Sequence, residues 1–303
     1  MTSISLTTLL NLPTDQLIQQ LSGIYEHSAW IPEETFSSSD KVKSIQSLNA
    51  LFQALKDTVE KADDAAKLKL LCEHPDLCAR AGVKEMEMLT EESRVEQGRA
   101  GLSQLTSEEY DWFIQVCQEY REKFGFPFIL AVRNATKHTV LAAIRVRVKN
   151  SAEVEFAAGL AQVHKIAWMR LVAMIDLPEE NRGFLTCHVL DTASGTPASG
   201  MRIELFKISS TDDEKKEFIA QFCTNADGRI DGGPALKGAA FEVGVYEWIF
   251  YVHDYFSTKS SLHTCGNPFL NKVPIRFGID DPEAHYHVPL LVSPFGFSTY
   301  RGS

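Results

Sequence analysis

Apolar residues recur at helical spacing in the first part of the chain and at strand spacing in the remainder. Tyr110, Phe113, Ile114, Cys117 and Tyr120 step by three and four, which places them on one face of a helix. Thr106 with Glu109 three residues on is a capping box ahead of that run, and Gly125 stands just past its end. A second long helix is predicted over roughly Ala152 to Met174, where Leu160, Val163, Ala167, Leu171 and Met174 repeat at the same steps. Residues 1–176 thus read as an all-α helical domain.

After Asp176 the texture changes to short β-rich runs, FLTCHVL, MRIELFKI, YEWIFYVHDYF and YHVPLLV, separated by Gly, Pro, Asn and Asp. Residues 183–303 read as an all-β sandwich, and the polar, Pro-containing stretch 177–182 as a linker. The fold class is therefore multidomain, α followed by β. No internal repeat interrupts either half.

Composition narrows the function. A length of 303 residues with 44% hydrophobic and 23% charged residues suits two globular domains. A net charge of −10 disfavours nucleic acid or an anionic membrane as partner, because both reward clustered Lys and Arg. The N-terminal residues lack a signal-peptide pattern, no window of 18 apolar residues occurs, and the last residues are not a peroxisomal SKL. A cytoplasmic protein is expected, with a peroxisome as the alternative. The six cysteines form no CxxC pair and are expected to be reduced. Arg145, Arg147 and Lys149 read as a solvated helix face.

Candidate chemistry concentrates in the C-terminal half. Two-residue alternation puts His287, Pro289 and Leu291 on one face of the last predicted strand and Tyr286, Val288, Leu290 and Val292 on the other. His188 shares a face with Thr186 and Leu190, and Arg229 follows the turn Asn225-Ala-Asp-Gly228. Two imidazoles and a guanidinium can converge there. The H-x-H pair alone also suits zinc, which would have to recruit ligands such as His253, His263 or Cys265.

GFLTCHVLDTASGTPASG, TNADGRI, AHYHVPLLVSP and STYRGS, spread over about 183–303, together resemble the 5-hydroxyisourate hydrolases, enzymatic relatives of transthyretin. The resemblance implies a transthyretin-like sandwich assembled as a homotetramer. It also implies a site built from His188, Arg229, His287 and the tail Tyr300, Arg301, Gly302 and Ser303, packed so that nothing follows Ser303. Ring opening by water suits these groups. A neutral imidazole takes a proton from the attacking water and Arg229 stabilises the developing oxyanion. Which histidine is the base is left open, and no cofactor or metal is expected.

EHSAW, EHPDL, SRVEQGRAGL, YREKFGFPFILAVRN and VHKIAWMRL, covering nearly all of 1–175, resemble the decarboxylases of 2-oxo-4-hydroxy-4-carboxy-5-ureidoimidazoline (OHCU). The resemblance implies catalytic His74 and Glu96 and a substrate-binding Arg170, with the backbone around Gly125, Phe126 and Pro127 holding carboxylate or ureido groups. Trp168 and Met169 depart from the family's usual last helix, so only the second arginine is kept. Loss of carbon dioxide from such a substrate leaves a delocalised carbanion, so a base and a positioned acid suffice. Ser93-x-x-Glu96 is equally a capping box, and His74 before Pro75 equally a turn residue.

Both resemblances together imply a bifunctional enzyme of urate breakdown acting on small purine-derived substrates. The C-terminal domain would hydrolyse 5-hydroxyisourate and the N-terminal domain would decarboxylate the product to S-allantoin. The alternative is a single-activity enzyme, or a ligand-binding transthyretin-like tetramer with a degenerate helical assembly module.

Overall fold

The computed structural model describes residues 3–77, 105–132, 135–209, 214–259 and 267–302. They form two compact units, Met1–Asp176 and Leu177–Ser303. Residues 177–182 pack with the second unit, where Glu179–Asn181 form a short 3-10 turn and Arg182 Nε donates to the Leu177 carbonyl.

The described part of the first unit carries helices α1 (Leu6–Leu10), α2 (Thr14–Leu21), α3 (Trp30–Thr35), α4 (Ser39–Ser44), α5 (Leu48–Lys61), α6 (Asp64–Glu73), α7 (Ser107–Phe124), α8 (Lys137–Arg147) and α9 (Ala152–Met174). It is not purely helical, because β1 (Ile4–Ser5) pairs in parallel with β2 (Ile175–Asp176) and ties the two ends of the unit together. Local chemistry sets the helix starts. Ser47, Asp63, Thr106, Thr136 and Ser151 each accept a hydrogen bond from the backbone N–H three residues on. At Thr106 both bonds of the predicted capping box form. α9 buries Leu160, Val163, Ala167, Leu171 and Met174 as the spacing predicts.

One expectation fails in this unit. Arg147 is not a solvated side chain: its Nε donates to Glu155 Oε1 at 2.8 Å, its Nη1 donates to the Ile129 carbonyl at 2.6 Å, and its guanidinium lies over the Phe128 ring. Glu155 is 0% exposed and also accepts from the Tyr120 hydroxyl and from Asn150 Nδ2. A carboxylate buried that deeply needs a cation and further donors, and Arg147 is the cation.

The second unit has an antiparallel sheet in the order β10 (Val273–Ile279), β9 (Gly244–Phe250), β6 (Arg202–Ile208), β7 (Lys216–Cys223). Opposite it lie interrupted strands. β11 (His285–His287), β3 (Phe184–Thr186) and β8 (Leu236–Lys237) form one sheet, and β13 (Gly296–Thr299), β12 (Leu290–Ser293), β4 (Val189–Asp191) and β5 (Thr196–Pro197) form another. Leu185, Val189, Ile203, Leu205, Trp248, Phe250, Tyr286 and Leu290 meet in one core. The run YHVPLLV therefore makes two short strands separated at Val288-Pro289, where proline has no N–H for the ladder. FLTCHVL breaks likewise at Cys187-His188. YEWIFYVHDYF is strand only to Phe250. It continues as helix α10 (Val252–Ser257), whose Val252, Tyr255 and Phe256 are buried at steps of three and one, a helical pattern inside a β-rich composition.

Among the described cysteines Cys72, Cys187 and Cys223 are free, whereas Cys117 is disulfide-bonded, against the expectation of reduced thiols. Folding sets which thiols meet, and sequence spacing does not reveal it. Among the described residues no helix is long and apolar enough to cross a membrane.

Candidate functional site

In the sandwich, β3 and β11 run parallel in a register that pairs His287 with Thr186 and His285 with Phe184. Tyr286, Val288, Leu290 and Val292 enter the core, so His285 and His287 stand on the opposite face. His188 fills the break between β3 and β4. Its backbone bridges to Arg229, and its carbonyl accepts from the Leu290 N–H at 2.8 Å. The turn before Arg229 needs Gly228 twice over: its φ is +70°, and a Cβ there would fall 2.3 Å from the Val189 carbonyl oxygen. The imidazoles of His188 and His287 stand with centroids 6.5 Å apart.

The chain's tail returns to this place. Gly302 bridges to His287, its N–H donating to the His287 carbonyl at 2.9 Å. Gly302 lies so close to the imidazole that a Cβ would fall 2.5 Å from His287 Cδ2. Arg301 lies over the Tyr286 ring, and Tyr300 is 58% exposed. Ser303 lies outside the described residues.

Electrostatics favour neutral imidazoles here. Burial, and then the Arg229 charge, hold His188 below the usual histidine range. His287 is lowered by burial first, then by Arg229, His285 and His188. His188 Nε2 is buried and has no hydrogen-bond partner among the described residues. A pair of neutral bases beside a guanidinium can activate water and receive an anion. Among the described residues no group of three or more His, Cys, Asp and Glu is placed to hold a metal; His263 and Cys265 lie outside them.

In the helical unit His74 follows α6 and is 5% exposed. Its Nδ1 lies 3.0 Å from the Leu70 carbonyl, which only accepts, so Nδ1 carries a proton. Asp76 pairs with Arg121 of α7 at 3.5 Å and Leu77 is buried, which anchors the segment after the helix. The Gly125 carbonyl accepts from Cys72 Sγ at 3.5 Å, and Phe126 packs beside Leu71 against Gly159 of α9. The 125–127 segment is thus brought to the end of α6 that presents His74.

Arg170 of α9 is 9% exposed and forms a buried ion pair with Glu26, which is 3% exposed; its Nη1 also donates to the Gly23 carbonyl at 3.0 Å. Arg170 Nε is buried with no hydrogen-bond partner among the described residues. Trp168, which breaks the family pattern, packs its ring on Phe52 of α5. Glu96 and Ser93 lie outside the described residues. Glu26 was not singled out from the sequence, although it sits in the quoted segment EHSAW; nothing in local spacing says that residue 26 meets residue 170. The adjacent His27 has φ of +49°, a backbone conformation uncommon for a residue with a Cβ. Nothing in local spacing marks Thr186 or His285 either, since their meeting with His287 depends on the register of β3 and β11.

A helical unit that buries His74, and a sandwich that carries His188 and His287 beside Arg229, make a two-domain protein with a separate candidate site in each domain. Residues 11–172 match the family model described as OHCU decarboxylase, and residues 185–302 that described as HIUase/Transthyretin family. A solved structure described as (S)-allantoin synthase shares 47% identity at a TM-score of 0.85, covering 99% of this chain and all of that one. 5-hydroxyisourate hydrolase 2 of Rhizobium meliloti (strain 1021) is 49% identical over 40% of this chain and 97% of its own length. The 2-oxo-4-hydroxy-4-carboxy-5-ureidoimidazoline decarboxylase of Haloferax volcanii is 36% identical over 56% of this chain and 96% of its own. The chain belongs to the OHCU decarboxylase family through its helical part and to the HIUase/transthyretin family through its sandwich.

Proposed function

We propose that the chain is a bifunctional enzyme of urate breakdown. It hydrolyses 5-hydroxyisourate to OHCU in the sandwich and decarboxylates OHCU to S-allantoin and carbon dioxide in the helical unit. The observation that carries the first half is the meeting of His188, His287 and Arg229 with the returning tail at Gly302. Water adds to a ring carbonyl as a neutral imidazole takes its proton, Arg229 stabilises the oxyanion, and collapse opens the ring. Tyr300, Arg301, Gly302 and Ser303 close the site around the purinoid.

In the helical unit His74 Nε2 is the base, with Glu96 as its partner in moving the proton. Arg170 and the backbone of 125–127 hold the anionic substrate. Carbon dioxide leaves, and a proton returned to one face of the carbanion sets the S configuration. The sandwich assembles as a homotetramer, which a scattering measurement of mass in solution tests directly. The test of the function is to supply 5-hydroxyisourate to the purified chain and follow both its disappearance and the chirality of allantoin. Fast conversion to S-allantoin is expected. Accumulation of OHCU that decays at the spontaneous rate to racemic allantoin overturns the second activity.

A further inference from the structure

Thr186 faces two imidazoles at once. Its Oγ1 lies 2.8 Å from His285 Nε2 and 2.9 Å from His287 Nδ1. The contact follows from backbone register: β3 and β11 pair Thr186 with His287, and His285 lies two residues back on the same face, stacked on Phe184 with ring centroids 4.2 Å apart. A hydroxyl has one proton, so it donates to one ring and accepts from the other. Only two arrangements satisfy both bonds. In one, His285 Nε2–H donates to Thr186 and Thr186 donates to His287 Nδ1, so that His287 carries its proton on Nε2 and cannot act as a base there. In the other, His287 Nδ1–H donates to Thr186 and Thr186 donates to His285 Nε2, leaving the lone pair on His287 Nε2.

We propose that Thr186 and His285 form a proton relay behind His287, which makes His287 Nε2 the base of ring hydrolysis. The inference rests on the hydrolase reading above and identifies which imidazole accepts the proton. In the second arrangement, Nε2 of His287 takes the proton of the attacking water. The Nδ1 proton then passes to Thr186 Oγ1, and the Thr186 hydroxyl proton passes to His285 Nε2. One proton enters and one is delivered, His287 ends neutral with its proton on Nε2, and the positive charge rests on His285, one ring removed from the reacting imidazole. That displacement matters because Arg229, His188 and His285 all bear on His287 and disfavour its cation, and burial does so more strongly still. From His287 Nε2–H the proton is then available to the departing ring nitrogen, after which reversal of the chain resets the site. Thr186 and His285 are positioning residues, since neither needs to touch the substrate. His188, whose Nε2 has no such chain among the described residues, orients the water or the purinoid.

The test compares T186V, T186S and H285F with H287A in the full-length protein. T186V keeps the shape and removes the hydroxyl, and H285F keeps the ring stacked on Phe184 while removing its nitrogens. Hydrolysis is expected to fall about 10-fold to 100-fold in kcat with KM little changed in T186V and H285F, less than the roughly 10²-fold to 10⁴-fold of losing the base itself, because His287 is still present. T186S should restore it, and the double variant should lose no more than either single one. Nitrogen NMR should show His287 protonated on Nδ1 in the wild type and a mixed tautomer in T186V. If H287A hydrolyses at the wild-type rate, the reading of the site fails. If H287A is inactive while T186V and H285F keep wild-type kcat and the wild-type His287 tautomer, the relay alone fails. Loss in T186V without rescue by T186S, or additive losses in the double variant, also overturns the relay, since either result marks a packing effect.

Discussion

His74 terminates a helix, whereas His287 stands in a two-sided lattice of short strands, and the two placements differ in what holds the imidazole. His74 Nδ1 donates to the carbonyl of Leu70 in the last turn of its own helix, so one of its ring nitrogens is assigned locally. His287 is oriented by Thr186 on a neighbouring strand and backed by Gly302 of the tail, neither of which is near it in helical or turn spacing. A helix supplies a base with its proton already assigned; a sheet has to bring the assigning group from elsewhere in the chain.

The first way to break the comparison is to remove each histidine. His287→Ala should lower ring hydrolysis by about 10²-fold to 10⁴-fold and leave decarboxylation of supplied OHCU untouched, and His74→Ala should do the reverse. Parallel assays of the two steps decide it, and cross-talk between the variants would show that the sites do not work separately.

Next in size is the buried pair of Glu26 and Arg170. Glu26→Ala leaves the Arg170 guanidinium buried with the Gly23 carbonyl as its remaining acceptor among the described residues, and should cost the helical unit about 3–5 kcal/mol. Urea unfolding followed by far-ultraviolet circular dichroism measures this. A loss below about 1 kcal/mol would mean that water replaces the carboxylate, and that the loop around strained His27 is looser than its φ implies.

Gly302→Ala probes the sheet side at a single methyl. The added Cβ, 2.5 Å from His287 Cδ2, must push either the tail or the imidazole aside. Displacing a base by about 1 Å can cost about 100-fold, so hydrolysis should fall by up to that factor while global stability changes little. Unchanged hydrolysis in this variant would detach the tail from the chemistry.

The acid limb of hydrolysis sharpens the electrostatic side. Both His188 and His287 are held below the usual range, chiefly by burial and then by Arg229. A lowered imidazole stays neutral, and able to accept a proton, as pH falls through about 6.5, and is lost as a base only at lower pH. Arg229→Met should move that limb upward, since one of the charges that disfavours the imidazolium is gone. The move should shrink in 1 M salt, because Arg229 is exposed and screening there reaches about 3 Å. A limb that stays in place would assign the lowering to burial alone.

Much of this was legible in the sequence, unevenly. Helices α7 and α9 were readable to the residue, because capping chemistry and three-four spacing are local signals. The alternation that sends Tyr286 inward and His287 outward was equally plain. What escaped was long-range: the Arg147–Glu155 burial, the Glu26–Arg170 pair and the Thr186 bridge each join residues whose meeting depends on tertiary packing or strand register. The strand breaks at Cys187-His188 and Val288-Pro289 were hidden inside continuous apolar runs, and α10 was hidden because Tyr255 and Phe256 favour strands on composition alone.

The smallest effect tests whether the helical site is as local as the comparison holds. Arg170 lies on α9, whose N-cap Ser151 accepts from the Val154 N–H at 3.3 Å. At about 1.5 Å per residue the cap is about 28 Å along the axis from Arg170. Ser151→Ala should cost about 1 kcal/mol of stability through the lost cap, and fraying should stop within the first turn because the following turns are buried. Decarboxylation should therefore keep its kcat and KM in folded protein at 25 °C, with only the urea midpoint lowered. If kcat falls along with stability, α9 transmits motion from cap to Arg170. The helical unit would then depend on distant structure as the sheet does through Thr186, and the distinction between a locally assigned base and one assigned from afar would no longer separate the two sites.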